Sequence, residues 1–494
     1  MKDWLRKIWW AVPVMATGLF VLLASLNLQT AMWFDESFSA YLIRGDFAEI
    51  WRMTAMDVHP PLYYFCLKVW SMIFGTSEFA LRFMSVMMAG VAMFFAYFLI
   101  KRWFGKKTAS VGTLLLSISP LLIRYSQEMR MYALAFLIVI WATLMLDIAL
   151  KSRKKVAWVG YAVLVALGMW THYFTALVWI AELVYIIRYL RRVEGKKYDR
   201  NVLWVYPLAM GLFLPWVPSF LSQVMTVQAG FWISEITLVT PISFLSEALV
   251  YREAEAVTGW LIIMIISIVI FAVWLLRKGV KKMRTEEREN VLLLSLLVFL
   301  PPVLLMILSL PPLSPTYVTR YVVYSASLLW VLIGVIMMFG GEAEKKPVVA
   351  TVLAIFMVGA AAIGDFKVNT RENAGEMREV ISAISEEAEV GEPILLQVSP
   401  THYYDAFFYE TTENRVYAAE PKIIWASLEP IREYKENYIA DTEEFIAGAG
   451  RFWYVLEEGE ENNMDEIFET AGFEKVRKFE VSSCEVGEFV KMEM

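Results

Sequence analysis

Asp35 and Glu36 stand side by side in the stretch WFDESFSAYLIRGDFAEIWRMTAMDVHPP, residues 33–61, directly after the first long apolar run. A carboxylate at that place can take a proton from an acceptor hydroxyl, and because neighbouring residues on one helix or strand point apart, one of the pair faces a site. The plainer alternative is a helix cap. Further along the same stretch come Asp57 and His59, followed at once by Pro60 and Pro61. His172, in THYF, is a second imidazole. Two imidazoles and a carboxylate could hold a divalent cation that neutralises a phosphate leaving group, or each could be an ordinary interfacial residue. The segment RYSQEMRMY adds Arg124, Tyr125, Glu128, Arg130 and Tyr132, and a late RYVV adds Arg320 and Tyr321. Guanidinium groups bind phosphate through a bidentate fork, and Glu128 could accept hydrogen bonds from a sugar. Their plainer role is to anchor helix ends at a membrane surface.

The elements that must position these groups are membrane spans. Hydrophobic residues make up 58% of the chain, charged residues 19%, and the apolar runs approach the length needed to cross a bilayer. The net charge of −6 conceals an asymmetry: residues 366–494 carry 12 Lys and Arg against 29 Asp and Glu, whereas the remainder is basic. The split implies a basic membrane part and an acidic water-soluble part. The basic residues sit in short loops, where they set topology, so nucleic acid is excluded as a partner. Two cysteines, Cys66 and Cys484, exclude a disulfide framework.

Lys2, Arg6 and Lys7 ahead of the first run place the N-terminus inside and residues 33–61 outside. The first run, 8–28, is expected to be a retained span rather than a cleaved signal. Residues 46–54 and 61–74 are expected as helices lying in the outer interface; counting 61–74 as a span would carry Lys101, Arg102, Lys106 and Lys107 outside. Spans then follow near 83–100, 108–123, 131–150, 156–190 (split at THYF), 202–220, 257–276, 291–310, 321–339 and 347–364, about eleven in all. An outer loop at about 222–256 contains Glu235, Arg252 and Glu253. Glu182, at mid-membrane depth, is expected to face the bundle and be hydrogen-bonded. The expected fold is thus a polytopic α-helical membrane domain, 1–365, followed by a small acidic α/β domain, 366–494, outside the membrane. Its helices are expected in EMREVISAISEEAE, IREYKENYIA and MDEIFETA, and its strands in PILLQV, RFWYVLEE and KVRKFEV.

Taken together, WFDES, DVHPPLYY, SEFALRFMSVMMAG, SPLLIRYSQEMRMYAL, THYF and RYVV resemble the integral-membrane GT-C glycosyltransferases of the protein mannosyltransferase and aminoarabinose transferase type, family 39-like. The resemblance covers most of the first 190 residues and the region 315–325. It implies transfer of a sugar from a polyprenyl-phosphate carrier to a protein, lipid or glycan acceptor at the extracytoplasmic face. It implies Asp35 as general base with Glu36 beside it, Glu128 as a second acidic residue of the site, and Arg320 with Arg130 on the lipid phosphate. Some relatives have Glu where this chain has His59, a place associated with a metal in part of the family. One phosphate leaving group and one base suffice for a single inverting displacement.

The competing class is a transporter or flippase for a lipid-linked sugar. Such proteins carry internal repeats and charge at the bilayer midplane. Here the charged groups gather at one face, and the sequence has no internal repeat. A scaffold acting through the acidic domain leaves the outer-face charges unexplained, and an oligosaccharyltransferase would share Asp35.

Overall fold

The computed structural model describes the chain apart from residues 1, 194–199, 230–231, 252–258, 345–346, 372–374, 412–413, 420–427, 435–441, 461–463 and 493–494. Arg252 and Glu253 of the long loop, and most of the helix expected at IREYKENYIA, lie outside the described residues. The chain divides into two compact units. The first comprises residues 1–28, 59–63 and 79–371; the second comprises 29–58, 64–78 and 372–494.

The first unit is helical. It contains α1 (Lys2–Ala24) and, after three helices of the second unit, α5 (Glu78–Ser117), α6 (Pro120–Ser126), α7 (Tyr132–Ser152), α8 (Lys155–Thr171), α9 (Thr175–Val193), α10 (Val205–Phe213), α11 (Val217–Ala229), α12 (Thr240–Val250), α13 (Gly259–Lys282), α14 (Thr285–Leu308), α15 (Val323–Glu344) and α16 (Pro347–Asn369). Six helical stretches among the described residues are long and apolar enough to cross a membrane: Glu78–Ser117, Tyr132–Ser152, Val202–Ala229, Thr285–Leu308, Thr319–Gly341 and Thr351–Asn369. The first of these is two helices, because Gly105 breaks it with φ 83. That left-handed backbone is open to glycine at little cost, and it falls inside the basic run where the sequence requires the chain to reverse. The expected split at THYF is also present, since α8 ends at Thr171 and α9 begins at Thr175. The span expected over 108–123 is interrupted instead: Pro120, which cannot continue a helix as a donor, starts α6 afresh.

Small residues bring these helices together. A Cβ on Gly334 of α15 would stand 2.9 Å from the Cα of Gly112 on α5, so the two backbones touch. Glu182 is fully buried and accepts hydrogen bonds from Thr143 at 2.8 Å and Tyr161 at 2.7 Å, the bundle-facing role expected of it. One end of the bundle is tied by ion pairs: Asp147 with Arg102 and Lys151, Lys151 with Glu286, and Glu289 with Arg188 and Arg192.

The second unit contains α2 (Phe34–Leu42), α3 (Phe47–Met56), α4 (Leu62–Phe74) and the C-terminal part. Asp46 starts α3 with a capping box: its carboxylate accepts from the amides of Ala48 and Glu49, and Glu49 accepts from the Asp46 amide. The C-terminal part holds α17 (Glu376–Glu387), β1 (Ile394–Gln397), α18 (Pro400–Tyr409), β2 (Val416–Ala418), α19 (Glu429–Tyr434), α20 (Thr442–Gly448), β3 (Arg451–Glu457), α21 (Asp465–Thr470), β4 (Phe473–Val481) and β5 (Cys484–Lys491). The strand order is β2-β1-β3-β5-β4; β1 is parallel to β2 and β3, and β5 is antiparallel to β3 and β4. Phe452, Phe468, Phe473 and Phe489 fill the core on one face. The sheet is the expected small α/β arrangement, with α18, β2, α20 and β5 in addition to the expected elements.

Helix α18 packs on α2. The Tyr404 ring lies 5.8, 5.3 and 5.1 Å from the rings of Phe34, Phe38 and Tyr41. Arg44 pairs with Glu410 at 2.7 Å, and the Tyr409 hydroxyl accepts from the Met32 amide at 2.8 Å while donating to Glu78. Asp405 of α18 is buried against Ser37 of α2. Burial, with the Glu36 carboxylate adding to it, raises its pKa to about 7, against the His402 imidazole, which lowers it.

Gly334→Leu is expected to destabilise the bundle by roughly 1–3 kcal/mol, because the added side chain has no space against Gly112. Thermal unfolding of detergent-solubilised protein checks this, and an unchanged melting temperature would count against the close contact. A carboxyl whose folded pKa is raised contributes stability that is present below its unfolded value and is lost as pH rises through about 7. Asp405→Asn is therefore expected to match the wild type near pH 4 and to be the more stable protein at pH 8, measured by melting in chelator-containing buffer.

Candidate functional site

In the first unit the expected site residues gather at the end of the bundle away from the ion-paired belt. Tyr132 opens α7 and Asp147 lies fifteen residues on, about 22 Å along the helix at 1.5 Å per residue. Arg124, the last basic residue of α6, is buried and pairs with Glu128 at 2.5 Å, while its Nε donates to the Tyr251 hydroxyl at 3.0 Å. Tyr251 holds that place with a left-handed backbone, φ 48, as the residue closing α12. Glu128, fully buried, thus has a charge partner one helical turn away. Breaking such a pair strands a charge in a low-dielectric place, which costs several kcal/mol.

Arg130 is buried as well, and its Nη2 stands 3.3 Å from Nε2 and 3.4 Å from Nδ1 of His59. Rings lead inward from there. Tyr125 lies 5.2 Å from Tyr132, Tyr132 lies 6.0 Å from His172, and His172 lies 5.2 Å from Tyr321. Phe174 stacks on Tyr321 at 5.4 Å and 25°, and its carbonyl accepts from the Tyr324 hydroxyl at 2.7 Å. Arg320 lies 5.1 Å over the ring of Trp232 and 5.8 Å over that of Tyr321. Such stacking orients a guanidinium without neutralising it.

Two effects push the His172 imidazole well below its ordinary pKa: burial first, then the positive charges of His59, Arg130 and Arg320. His172 thus lies within electrostatic reach of His59, Arg130 and Arg320, residues far apart in sequence. The expected pair of imidazoles thus stands among guanidinium groups. A divalent cation on His59 would lie beside the fixed charge of Arg130, so His59 and His172 fit an anion better than a cation, and no step below passes through a metal.

In the second unit, Asp35 and Glu36 form the first turn of α2, where negative charge suits the helix dipole. No side chain caps the helix at Trp33. The adjacent carboxylates point apart, as their spacing requires: Glu36 is fully buried, whereas Asp35 is half-buried and open to solvent. Asp57 is buried at the residue closing α3, with extended backbone.

The sequence pointed to Tyr125, Glu128, Arg130, Tyr132, His172, Arg320 and Tyr321, and the first unit brings these together. Tyr251, Trp232 and Phe174 join them unforeseen. Tyr251 meets Arg124 across 127 positions of sequence, a separation at which nothing local signals a contact.

The family described as "Dolichyl-phosphate-mannose-protein mannosyltransferase" matches residues 58–218, about a third of the chain. The match contains His59, the Arg124–Tyr132 segment and His172. None of the curated proteins matches the sequence. Among solved structures, ArnT from Cupriavidus metallidurans bound to undecaprenyl phosphate is similar over 99% of this chain and 98% of its own, with a TM-score of 0.63 at 11% identity. The Archaeoglobus fulgidus oligosaccharyltransferase tethered with an acceptor peptide is similar over 90% of this chain and 65% of its own, with a TM-score of 0.55 at 12% identity. AglB from the same organism, in complex with an inhibitory peptide and a dolichol-phosphate, gives a TM-score of 0.51 at 12% identity over 92% and 70%. With its apolar helices and its C-terminal sheet, the chain is a multi-pass membrane protein that shares the fold of these structures, and its residues 58–218 resemble the mannosyltransferase family.

Proposed function

We propose that the chain is a glycosyltransferase that moves a sugar from a polyprenyl-phosphate carrier to an acceptor at the extracytoplasmic membrane face. The observation that carries this is the positive field around His172, made by His59, Arg130 and Arg320 at one end of an apolar bundle. A lipid phosphate is the ligand this chemistry suits: guanidinium groups meet the phosphate, and apolar helices meet the isoprenoid tail. The similar ArnT structure is bound to undecaprenyl phosphate, and the similar AglB structure to a dolichol-phosphate.

Asp35 is the proposed general base. Of the adjacent carboxylates it alone is open to solvent, while Glu36 is buried within its own unit. The base takes the proton of the acceptor hydroxyl as that oxygen bonds the anomeric carbon. The bond from that carbon to the phosphate oxygen breaks, and the phosphate leaves with the electron pair toward Arg130 and Arg320. One displacement inverts the anomeric centre. Glu128 serves chiefly to hold Arg124 in place. A C-terminal part outside the membrane is our reading; it is supported by residues 372–494 forming one compact unit with 29–58, the loop for which the basic N-terminus favours the outside.

In a transfer assay with radiolabelled sugar on polyprenyl phosphate, Asp35→Asn is expected to lower turnover by roughly 10²–10⁴-fold with the protein still folded. Unchanged turnover would remove Asp35 as the base. Wild type that binds the labelled lipid and never transfers it, across a panel of donors and acceptors, would favour a transporter. Arg320→Ala is expected to raise KM for the donor about tenfold or more and leave KM for the acceptor near the wild-type value; equal change in both would contradict the phosphate role.

A further inference from the structure

The third histidine of the chain, His402, belongs to neither the aromatic ladder nor the first loop. It lies in the first turn of α18 with a carboxylate on either side. Its Nδ1 is 3.1 Å from Oε2 of Glu457, at the end of β3, and its Nε2 is 4.0 Å from Oε2 of Glu376, at the start of α17. One ligand atom from each of the three residues lies within 4.8 Å of the others, and among the described residues this is the group of His, Cys, Asp and Glu side chains close enough to share an ion.

We propose that Glu376, His402 and Glu457 form a binding site for a first-row divalent cation of the zinc class, clasping α17, α18 and β3 together. The donor set decides the class: imidazole with two carboxylates suits zinc, whereas magnesium and calcium prefer oxygen alone. Bonds of about 2.0–2.2 Å to a tetrahedral ion put its ligands roughly 3.4 Å apart, so ligand atoms now within 4.8 Å of one another need to close by up to roughly 1.4 Å. All three residues are part-exposed, which leaves the ion a way in and room for a water as a further ligand.

The surroundings fit an ion rather than a sealed ion pair. The carboxylate oxygens that face His402 are themselves held: the Ser483 hydroxyl donates to Oε2 of Glu376 at 2.8 Å and the Ser399 amide donates to Oε2 of Glu457 at 2.6 Å. Hydrogen bonds to ligating carboxylates are the usual support of metal sites. Directly across the sheet from Glu457 stands Cys484. The clasp also bears on α2, because Tyr404, two residues after His402, carries the aromatic contacts to the helix of Asp35. The binding of the ion stands apart from the transferase reading and is tested without it.

The experiment uses the full chain in detergent, stripped with EDTA, dialysed and titrated with Zn²⁺ by calorimetry, with Mg²⁺ in parallel. One Zn²⁺ per chain is expected, bound at least tenfold more weakly by Glu376→Gln and lost in His402→Ala. Zn²⁺ is also expected to raise the melting temperature of the wild type and to leave that of His402→Ala unmoved. Glu376→Gln removes a ligand charge without emptying the site, so it keeps the test decisive if His402→Ala does not fold. No Zn²⁺ uptake by the wild type, or uptake unaltered by Glu376→Gln, overturns the proposal and leaves an ion-paired histidine. Mg²⁺ bound as tightly as Zn²⁺ overturns the assignment of the ion's class.

Discussion

A charge beside hydrocarbon must be paired, and this constraint shapes the first unit at both ends. At one end Asp147 and Glu289 each bind two cations, and at the other Arg124 binds Glu128 and Tyr251. Between the two levels Glu182 is held by two hydroxyl donors, Thr143 and Tyr161. Pairing at low dielectric is worth much more than in water, yet desolvation opposes it, so such pairs fix position more than they add stability. The two ends differ in their partners. At the Asp147 end each of these two carboxylates holds two cations. At the His172 end Arg130 meets the His59 imidazole and Arg320 lies over the rings of Trp232 and Tyr321. Guanidinium groups gathered in this way accommodate an anion.

The second unit solves a different problem. A loop of some thirty residues between two apolar helices has little core of its own, and a carboxylate on it would be placed only loosely. Here α2 buries Phe38 and Tyr41 against Tyr404 and Phe407 of α18, and Arg44 closes the contact on Glu410. Buried aromatic side chains are the largest single contributors such a contact can have, at roughly 2–3 kcal/mol each by area. The acidic C-terminal part therefore has a structural task that does not depend on any acceptor: it holds the helix whose first turn carries Asp35.

Much of this was legible in the sequence. Hydropathy and the basic loops locate most helices, and the run KRWFGKK marks the reversal that Gly105 makes. RYSQEMRMY and THYF announce the residues that meet at His172. What escaped the sequence shares a physical cause, namely contacts between distant positions. Tyr251 reaches Arg124, and Glu376 and Glu457 reach His402 from 26 positions before it and 55 after it. Strand β5, CEVGEFVK, alternates less clearly than RFWYVLE because Glu485 and Glu488 answer Lys475, Lys478 and Arg451 across the sheet, so its charges are cross-strand partners rather than solvent residues. The grouping of residues 29–58 with 372–494 was equally invisible, since it rests on aromatic packing between segments more than 350 positions apart.

The pattern of likeness has a physical reading as well. The family match ends at residue 218, whereas the similarity in fold runs over nearly the whole chain at 11% identity. A fold survives such divergence because a bundle needs apolar faces and close-packed small residues at few fixed places, such as Gly112 against Gly334. The matched segment holds His59, Arg130 and His172, where substitution would alter a field and not merely a surface. The C-terminal part is strongly acidic, with 29 Asp and Glu against 12 Lys and Arg in residues 366–494. Charge of that sign repels a polyanionic glycan over about a Debye length, near 8 Å at physiological salt.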